Sequence, residues 1–171
     1  MADVTIRPIR AEDASALREL RLEALRTCPL AFTADLAAAE AQPPEHWQER
    51  TAAAAGEGSQ VVMLAEDGGR LVGMTGVYTE SAPKVAHIGN VWGVYVRESH
   101  RGRGVGEALM RAAIEWARCK RLLVMKLGVA VGNDAARRCY ERCGFEIYAT
   151  DPAAILLEGK LYDEHLMALR L

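Results

Sequence analysis

The sequence has no apolar run long enough to cross a bilayer, and its charges nearly cancel. Nowhere do about 18 consecutive apolar residues occur. The first residues, 1–5, have neither the basic start nor the apolar core of a secretion signal. The formal net charge of -2 argues against a protein that coats nucleic acid. We therefore expect a soluble, cytoplasmic protein that binds neither membranes nor nucleic acid.

Cysteines are few, and their spacing matches no disulfide or zinc motif. The four of them are Cys28, Cys119, Cys139 and Cys143, with no C-x-x-C pair. Cys139 and Cys143 lie four residues apart on a predicted helix, a spacing that could hold a metal, but no histidine or second thiol pair is near them in the sequence. We expect reduced thiols, with these two buried as small apolar residues, and no metal site.

Two common phosphate-binding motifs are also missing. The glycines at 102, 104 and 106 read G-x-G-x-G rather than G-x-G-x-x-G, and no G-K-[ST] follows them. What is present is a β-branched and aromatic run, Val94-Tyr95-Val96, then these glycines, then apolar residues of helical period. Glycine lets the backbone approach a ligand, and the first turn of a helix has unpaired N–H groups. The stretch is a strand, turn and helix suited to a phosphate.

The rest of the chain has the patterns of a mixed α/β protein. At 171 residues, half of them hydrophobic, it suits one domain covering residues 1–171. We predict strands at residues 4–7, 60–65, 71–78, 85–96, 122–131, 146–148 and 164–171, and helices after an Asp13 cap and at 35–42, 45–55, 105–119 and 133–143. Gly93 is unusual within a strand and marks either a bulge or space for Trp92 to pack.

A second motif lies between residues 133 and 145. Asn133 is suited to cap a helix, Asp134 is an acid in its first turn, and Gly144 stands at the position after its end. These residues predict a short capped helix with Tyr140 on its apolar side.

The two motifs together resemble those of the GNAT superfamily of N-acetyltransferases. Residues 101–106 match Q/R-x-x-G-x-G/A, and residues 133–145 match N-x-x-A-x-x-x-Y-x-x-x-G-F. They occur in the expected order, separated by one predicted strand, and the resemblance extends over about residues 85–148. It implies a twisted, mostly antiparallel sheet of six or seven strands, split near its middle and flanked by about four helices.

The resemblance also implies an activity and the residues that perform it. Acetyl-CoA would donate its acetyl group to a primary amine of a small molecule or peptide, by direct attack in a ternary complex. Tyr140 would protonate the leaving thiolate, although a tyrosine here could also be ordinary core. The implied cofactor-binding residues are Val94, Tyr95, Val96, Arg101, Gly102, Arg103, Gly104, Val105, Gly106, Glu107, Asn133 and Ala136.

The general base is not evident from the sequence. Some relatives carry a glutamate five positions before the motif asparagine, where this chain has Gly128. Glu80 and His87 are candidate bases, His87 because an imidazole titrates near pH 6.5, but a solvated side chain is the better interpretation of each.

Three further points stay open at this level. A degenerate relative that binds coenzyme A as a sensor or partner module is one alternative, and an enzyme for another acyl chain or a hydroxyl acceptor is a second. The identity of the amine is not readable from the sequence. A homodimer is compatible with the resemblance.

Overall fold

The computed structural model describes residues 4–171, which form five α-helices and seven β-strands. The helices are α1 (Ala14–Thr27), α2 (Leu36–Glu40), α3 (Pro44–Ala55), α4 (Val105–Cys119) and α5 (Asp134–Arg142). The strands are β1 (Thr5–Pro8), β2 (Gln60–Asp67), β3 (Arg70–Thr79), β4 (Ile88–Val96), β5 (Val124–Ala130), β6 (Glu146–Leu157) and β7 (Lys160–Arg170). This confirms the predicted mixed α/β class.

All seven strands form one sheet in the order β1-β2-β3-β4-β5-β7-β6. Every neighbouring pair is antiparallel except β4 and β5, which run parallel. Their pairing covers only Ile88 to Asn90 of β4 and Val124 to Lys126 of β5. The remaining halves of these strands are not paired with each other, so the sheet is split near its middle as predicted.

A bulge in β4 lies beside this split. Two residues of β4, Gly93 and Val94, stand opposite the single residue Thr75 of β3, and Gly93 has φ +69°. Of the two alternatives for Gly93, the structure confirms the bulge, because a left-handed backbone is most easily adopted by glycine. Trp92 finds its space over Gly76 instead.

The helices cover both faces of the sheet and bury two apolar clusters. On one face, Leu109, Met110 and Ala113 of α4 pack with Met125 and other residues of the central strands. On the opposite face, a cluster formed by α1, α3 and the strands β2 to β4 includes Leu17, Leu20, Ala54, Leu64 and Met74. These layers hold the two edges of the split in place.

The central strands are shorter than the sequence predicts. Chain from Pro83 to His87 forms turns, so β4 begins at Ile88 rather than at residue 85. Strand β5 lacks both predicted ends: Leu123 is 62% exposed and Val131 is 41% exposed. The sequence pattern included these two residues because they are apolar, although the sheet does not cover them.

The C-terminal strands are longer than the sequence predicts. The sequence predicts strands only at 146–148 and 164–171, but β6 and β7 form one long hairpin joined at Glu158 and Gly159. Strand β6 is exposed along most of its length and shows no alternation of buried and exposed residues. Backbone pairing with β7 therefore defines it, with a register shift between Asp151 and Ile155 that accommodates Pro152.

The role expected for Asp13 is wrong. Its side chain makes no capping hydrogen bond to α1. The carboxylate accepts hydrogen bonds from Arg7 Nη1 at 2.7 Å, Arg7 Nη2 at 2.8 Å and the Arg10 backbone N–H at 2.7 Å. These hydrogen bonds join β1 to the start of α1 and hold the pKa of Asp13 below its usual range.

All four cysteines are free. Cys139 and Cys143 are half-buried, not buried as the sequence analysis expected, and Cys139 lines a cavity. Within residues 4–171, no group of three or more His, Cys, Asp and Glu side chains could hold a metal ion. In the same part of the chain, no helix combines the length and apolar character that a membrane span requires.

Candidate active site at the split in the sheet

A cavity of about 510 Å³ opens where β4 and β5 separate. Its wall contains residues from β4, the glycine turn, α4, β5, α5 and the β6-β7 hairpin. The predicted site residues on this wall are Val94, Tyr95, Val96, Arg101, Gly102, Gly104, Val105, Gly106, Glu107, Asn133, Ala136 and Tyr140. The split therefore brings both sequence motifs to one cavity.

The glycine turn presents backbone to one end of the cavity. Gly102 has φ +72° and Gly104 has φ +80°, and a β-carbon added at either position would meet no atom within 4 Å. Helix α4 begins directly afterwards, at Val105, so its first N–H groups have no partner within the helix. Left-handed glycines followed by a helix N-terminus make a concave surface of N–H donors that suits phosphate oxygens.

The arginines of the turn differ in position. Arg101 lies on the cavity wall, where its Nε donates to the Val96 carbonyl at 2.9 Å and its Nη2 lies 3.4 Å from Cys28 Sγ. Its side chain thus ties the end of β4 to the segment after α1. Arg103 is exposed and does not belong to the cavity wall, so its cofactor-binding role remains a prediction.

The carboxylate of Glu107 lies beside this surface of N–H donors, and two arginines form ion pairs with the carboxylate. Its Oε1 accepts from Arg111 Nη2 at 2.7 Å, and its Oε2 accepts from Arg142 Nε at 3.2 Å. These partners lower the pKa of Glu107. The contact with Arg142 also links α4 to α5 across the mouth of the cavity.

Helix α5 forms the wall next to the turn. Asn133 Oδ1 accepts a hydrogen bond from the Ala136 N–H at 3.3 Å, so Asn133 caps this helix as predicted. One turn further on, Cys139 faces Gly106 of α4, whose added β-carbon would lie 3.6 Å from the sulfur. The first turn of α4 and the middle of α5 are therefore in van der Waals reach of each other at this position.

Tyr140 combines burial with access to the cavity. Its side chain packs edge-on against Phe145, with 6.4 Å between ring centroids, and the residue is only 6% exposed. Burial raises the pKa of its phenol, so the hydroxyl keeps its proton throughout the neutral pH range. A protonated hydroxyl on the wall of a largely apolar site is a suitable proton donor.

Comparison with known proteins agrees with this geometry. The Acetyltransferase (GNAT) family profile matches residues 17–145. The L-amino acid N-acetyltransferase AaaT of Escherichia coli strain K12 is 30% identical over 173 residues, covering 98% of each chain. The chain belongs to the GNAT family. It is an acetyl-CoA-dependent N-acetyltransferase.

Other GNAT acetyltransferases resemble it in sequence or structure. The L-methionine sulfoximine/L-methionine sulfone acetyltransferase of Pseudomonas paraeruginosa is 33% identical over 120 residues, 70% of this chain and 69% of that protein. A GNAT-family acetyltransferase from Streptococcus pneumoniae superposes with a TM-score of 0.89 at 26% identity, over 99% of this chain and 100% of the other. A Salmonella typhimurium structure described with its cofactor acetyl-CoA gives a TM-score of 0.79 at 25% identity, over 99% and 95% of the two chains.

The two candidate bases of this acetyltransferase are not in its cavity. Glu80 and His87 are exposed and absent from the cavity wall, and neither has a side-chain hydrogen bond within residues 4–171. The His87 carbonyl accepts from the Leu123 N–H at 2.9 Å, which places His87 where β4 and β5 are still joined. The base suggested at either position is thus not supported: the cavity opens at the other end of β4.

Among the charged residues on the cavity wall, the sequence analysis did not single out Arg21 and Glu164. Arg21 of α1 is buried, with 8% of its surface exposed. Glu164 had been read only as the start of the last strand. No contiguous motif marks either residue, although Gly128 was a signal that space had been left for another side chain.

Proposed function

We propose that this acetyltransferase acetylates the primary amine of a free amino acid whose carboxylate binds Arg21. The proposal rests on one observation, a buried guanidinium nitrogen of Arg21 without a hydrogen-bond partner in the described residues. Arg21 Nη1 is buried and has no hydrogen-bond partner within residues 4–171. The same side chain belongs to the wall of the cavity.

Within residues 4–171, no carboxylate forms an ion pair with Arg21, and the charge that acts on it is the positive one of Arg50. Its guanidinium carbon lies 4.6 Å from the Phe32 ring centroid and 5.6 Å from that of Trp92. Burial, and to a smaller extent the positive charge of Arg50, lower the pKa of Arg21 to about 10. The group therefore remains a cation at neutral pH. A buried cation without a counter-ion is costly, and a carboxylate would remove much of that cost.

The β4 bulge brings the acceptor end of the cavity next to this cation. A β-carbon at Gly93 would lie 3.5 Å from Arg21 Nη1, so the backbone passes close to the guanidinium at the point where the strands separate. An amino acid held there by its carboxylate would have its amine directed into the split. The names of two relatives support this substrate class, since one acts on L-amino acids and another on L-methionine sulfoximine and L-methionine sulfone.

We assign roles around this acceptor from the same cavity. The bound co-substrate supplies an acetyl group activated as a thioester. The N–H groups of the turn at Gly102 to Gly106 and of the first turn of α4 hold its pyrophosphate, a fit supported by the open space over Gly102 and Gly104. The unpaired edge of β4 from Val94 to Val96 positions the acyl arm. Tyr140 protonates the leaving sulfur in a ternary complex.

We also propose a single catalytic domain, a cytoplasmic location and a homodimer. We expect residues 1–171 to act as one catalytic domain. The four free cysteines are in keeping with a cytoplasmic location. A homodimer through the β6-β7 hairpin is supported by Leu156 and Leu161, which are directly paired and 68% and 60% exposed.

A comparison of matched amines tests the amino-acid proposal. The kcat/KM for a panel of L-amino acids is measured against the same amines without the carboxylate. We expect Arg21→Met to raise KM for the amino acids by about 10- to 100-fold, the equivalent of a lost charged hydrogen bond, with little change for the decarboxylated amines. The control is Arg50→Met, because Arg50 also stacks on Trp92, at 4.7 Å, but does not line the cavity.

The result that overturns the proposal is an equal loss for both kinds of amine in Arg21→Met, or a wild-type preference for the decarboxylated amines. If no amine is turned over while acetyl-CoA binds with measurable heat, the sensor alternative is favoured. Turnover of alcohols or longer acyl thioesters in preference to amines and acetyl-CoA would favour the other alternative.

A further inference from the structure

Gly128 and Glu164 share one place in the cavity wall. Strands β5 and β7 are antiparallel, with Gly128 opposite Leu166 and Ala130 opposite Glu164. Gly128 and Glu164 are therefore diagonal neighbours on adjacent strands, within reach of a long side chain. A β-carbon at Gly128 would lie 2.5 Å from Glu164 Oε1 and 2.7 Å from Oε2. The carboxylate thus fills the space that any side chain at residue 128 would need.

The Glu164 carboxylate is available for chemistry. It forms no ion pair and accepts no hydrogen bond within residues 4–171, unlike Glu107 on the same wall. Strand β6 contributes the charged group that acts on it, Asp151, which is its paired residue in the β6-β7 hairpin. Helix α5 contributes three titratable or charged residues to the same wall, Cys139, Tyr140 and Arg142.

Burial and the neighbouring Asp151 charge raise the pKa of Glu164. A carboxylate with a raised pKa is a stronger base than an ordinary one. Its geometry supplies the second requirement for a base, because it lies on the wall of the cavity that also contains Tyr140.

We propose that Glu164 is the general base of the acetyl transfer. The amine nitrogen forms a bond to the acetyl carbon while the carbon–sulfur bond breaks. Glu164 receives the proton that nitrogen loses, and Tyr140 provides the proton that sulfur gains. Exchange with water then restores both side chains. This inference rests on the acetyl transfer itself and is independent of which amine is the acceptor.

Gly128 supports this role of Glu164, because a glycine has no side chain that would displace the carboxylate. A methyl group there would overlap the Glu164 carboxyl, so Gly128→Ala must push the base out of position. With Glu164 shortened to alanine, the three atoms that lie nearest to this methyl group, all of them in the Glu164 carboxyl, are removed. The two substitutions are therefore expected to be non-additive.

A double-mutant cycle of Glu164→Ala and Gly128→Ala tests the assignment, with Glu164→Gln as the variant closest in shape. At saturating acetyl-CoA and amine, we expect kcat to fall about 100-fold in Glu164→Gln and in Glu164→Ala. Gly128→Ala lowers kcat in the wild-type background and has no further effect on Glu164→Ala. Glu158→Gln, in the exposed turn of the same hairpin, is the control and keeps full activity.

Two readouts separate a base from a structural residue. Calorimetry with acetyl-CoA is expected to give the same affinity for wild type and Glu164→Gln. When Glu164 is retained, Asp151→Asn removes a neighbouring negative charge and lowers the pKa of Glu164. The acidic limb of the kcat/KM profile therefore moves to lower pH. Carbon-13 NMR of the glutamate carboxyls follows the same titration without turnover.

The assignment is overturned if Glu164→Gln keeps wild-type kcat, if its loss of activity is matched by a loss of acetyl-CoA affinity, or if the two alanine substitutions are additive. Failure of the Arg21 test would appear in KM for carboxylate-bearing acceptors. Failure of the Glu164 test would appear in kcat with any amine that is turned over, so the two proposals can fail separately.

Discussion

The indole of Trp92 occupies the space that a side chain at Gly76 would need. The two residues are opposite each other on β4 and β3, and Trp92 Cζ2 lies 2.5 Å from the position of a β-carbon at Gly76. Trp92 also has the guanidinium groups of Arg21 and Arg50 near its ring. A glycine on one strand therefore positions an aromatic residue of the acceptor side on the next.

Gly76→Ala is expected to displace this indole. The added carbon overlaps the ring, and relief by shifting a packed aromatic residue costs about 1–3 kcal/mol of unfolding free energy. KM for the acceptor should rise while the affinity for acetyl-CoA changes little. Gly56→Ala is the control, because its added carbon would meet only atoms at 3.9 Å. Urea unfolding that shows equal stability for Gly76→Ala and wild type would contradict the packing argument.

Gly104→Ala is expected to weaken acetyl-CoA binding about tenfold or more. The residue has φ +80°, so alanine introduces backbone strain of about 1–3 kcal/mol, and its methyl group stands where phosphate must approach the backbone. Gly68→Ala is a matched control: it has φ +56° and equally open surroundings, but it lies in the β2-β3 turn. Calorimetry should give a higher Kd only for Gly104→Ala. Equal Kd values for the two variants would exclude the phosphate site.

Tyr140→Phe is expected to lower kcat about 100-fold with unchanged affinity for acetyl-CoA. The substitution removes the proton donor and keeps the edge-on packing against Phe145. Because burial raises the pKa of Tyr140, wild-type activity should show no alkaline loss from this group below about pH 10. Tyr148→Phe, at a residue that is 55% exposed, serves as the control. Steady-state kinetics with thiol detection would disprove the role if Tyr140→Phe remained fully active.

Asp13→Asn is expected to destabilise the protein by about 2–3 kcal/mol at pH 7, since it breaks a buried pair with Arg7. The hydrogen bond from Arg7 lowers the pKa of Asp13 in the folded state. Its stabilisation is therefore complete above the unfolded pKa of about 3.9 and is lost as the pH falls through the folded value. Unfolding curves of wild type and Asp13→Asn should converge at low pH.

The matched control for Asp13 is Glu40→Gln, which breaks the exposed pair with Arg26. Both of those side chains are about half exposed, so the expected effect is below about 1 kcal/mol at any pH. A difference between wild type and Asp13→Asn that did not depend on pH would mean that packing, and not the charge of Asp13, stabilises this corner.

Local chemistry explains why the two motifs could be recognised in advance. Gly102 and Gly104 adopt a left-handed backbone, and Asn133 caps α5. Both features depend only on residues that are close together in the sequence. The same local patterns failed at Asp13, where a longer-range partner, Arg7, competes for the carboxylate. They failed again along β6, whose exposed residues carry no burial pattern and whose strand depends on pairing with β7.

By itself, the sequence determined the turn at 102–106, the helix at 134–142 and the family to which they belong, because those features depend on contiguous residues. Only the tertiary structure decided that Glu164 fills the space over Gly128 and that Arg21 of α1 lies on the cavity wall, its Nη1 without a hydrogen-bond partner in the described part of the chain. The physical reason is strand register and helix packing. They bring together residues that are far apart in the chain, and the identity of one such residue does not predict which residue it will contact.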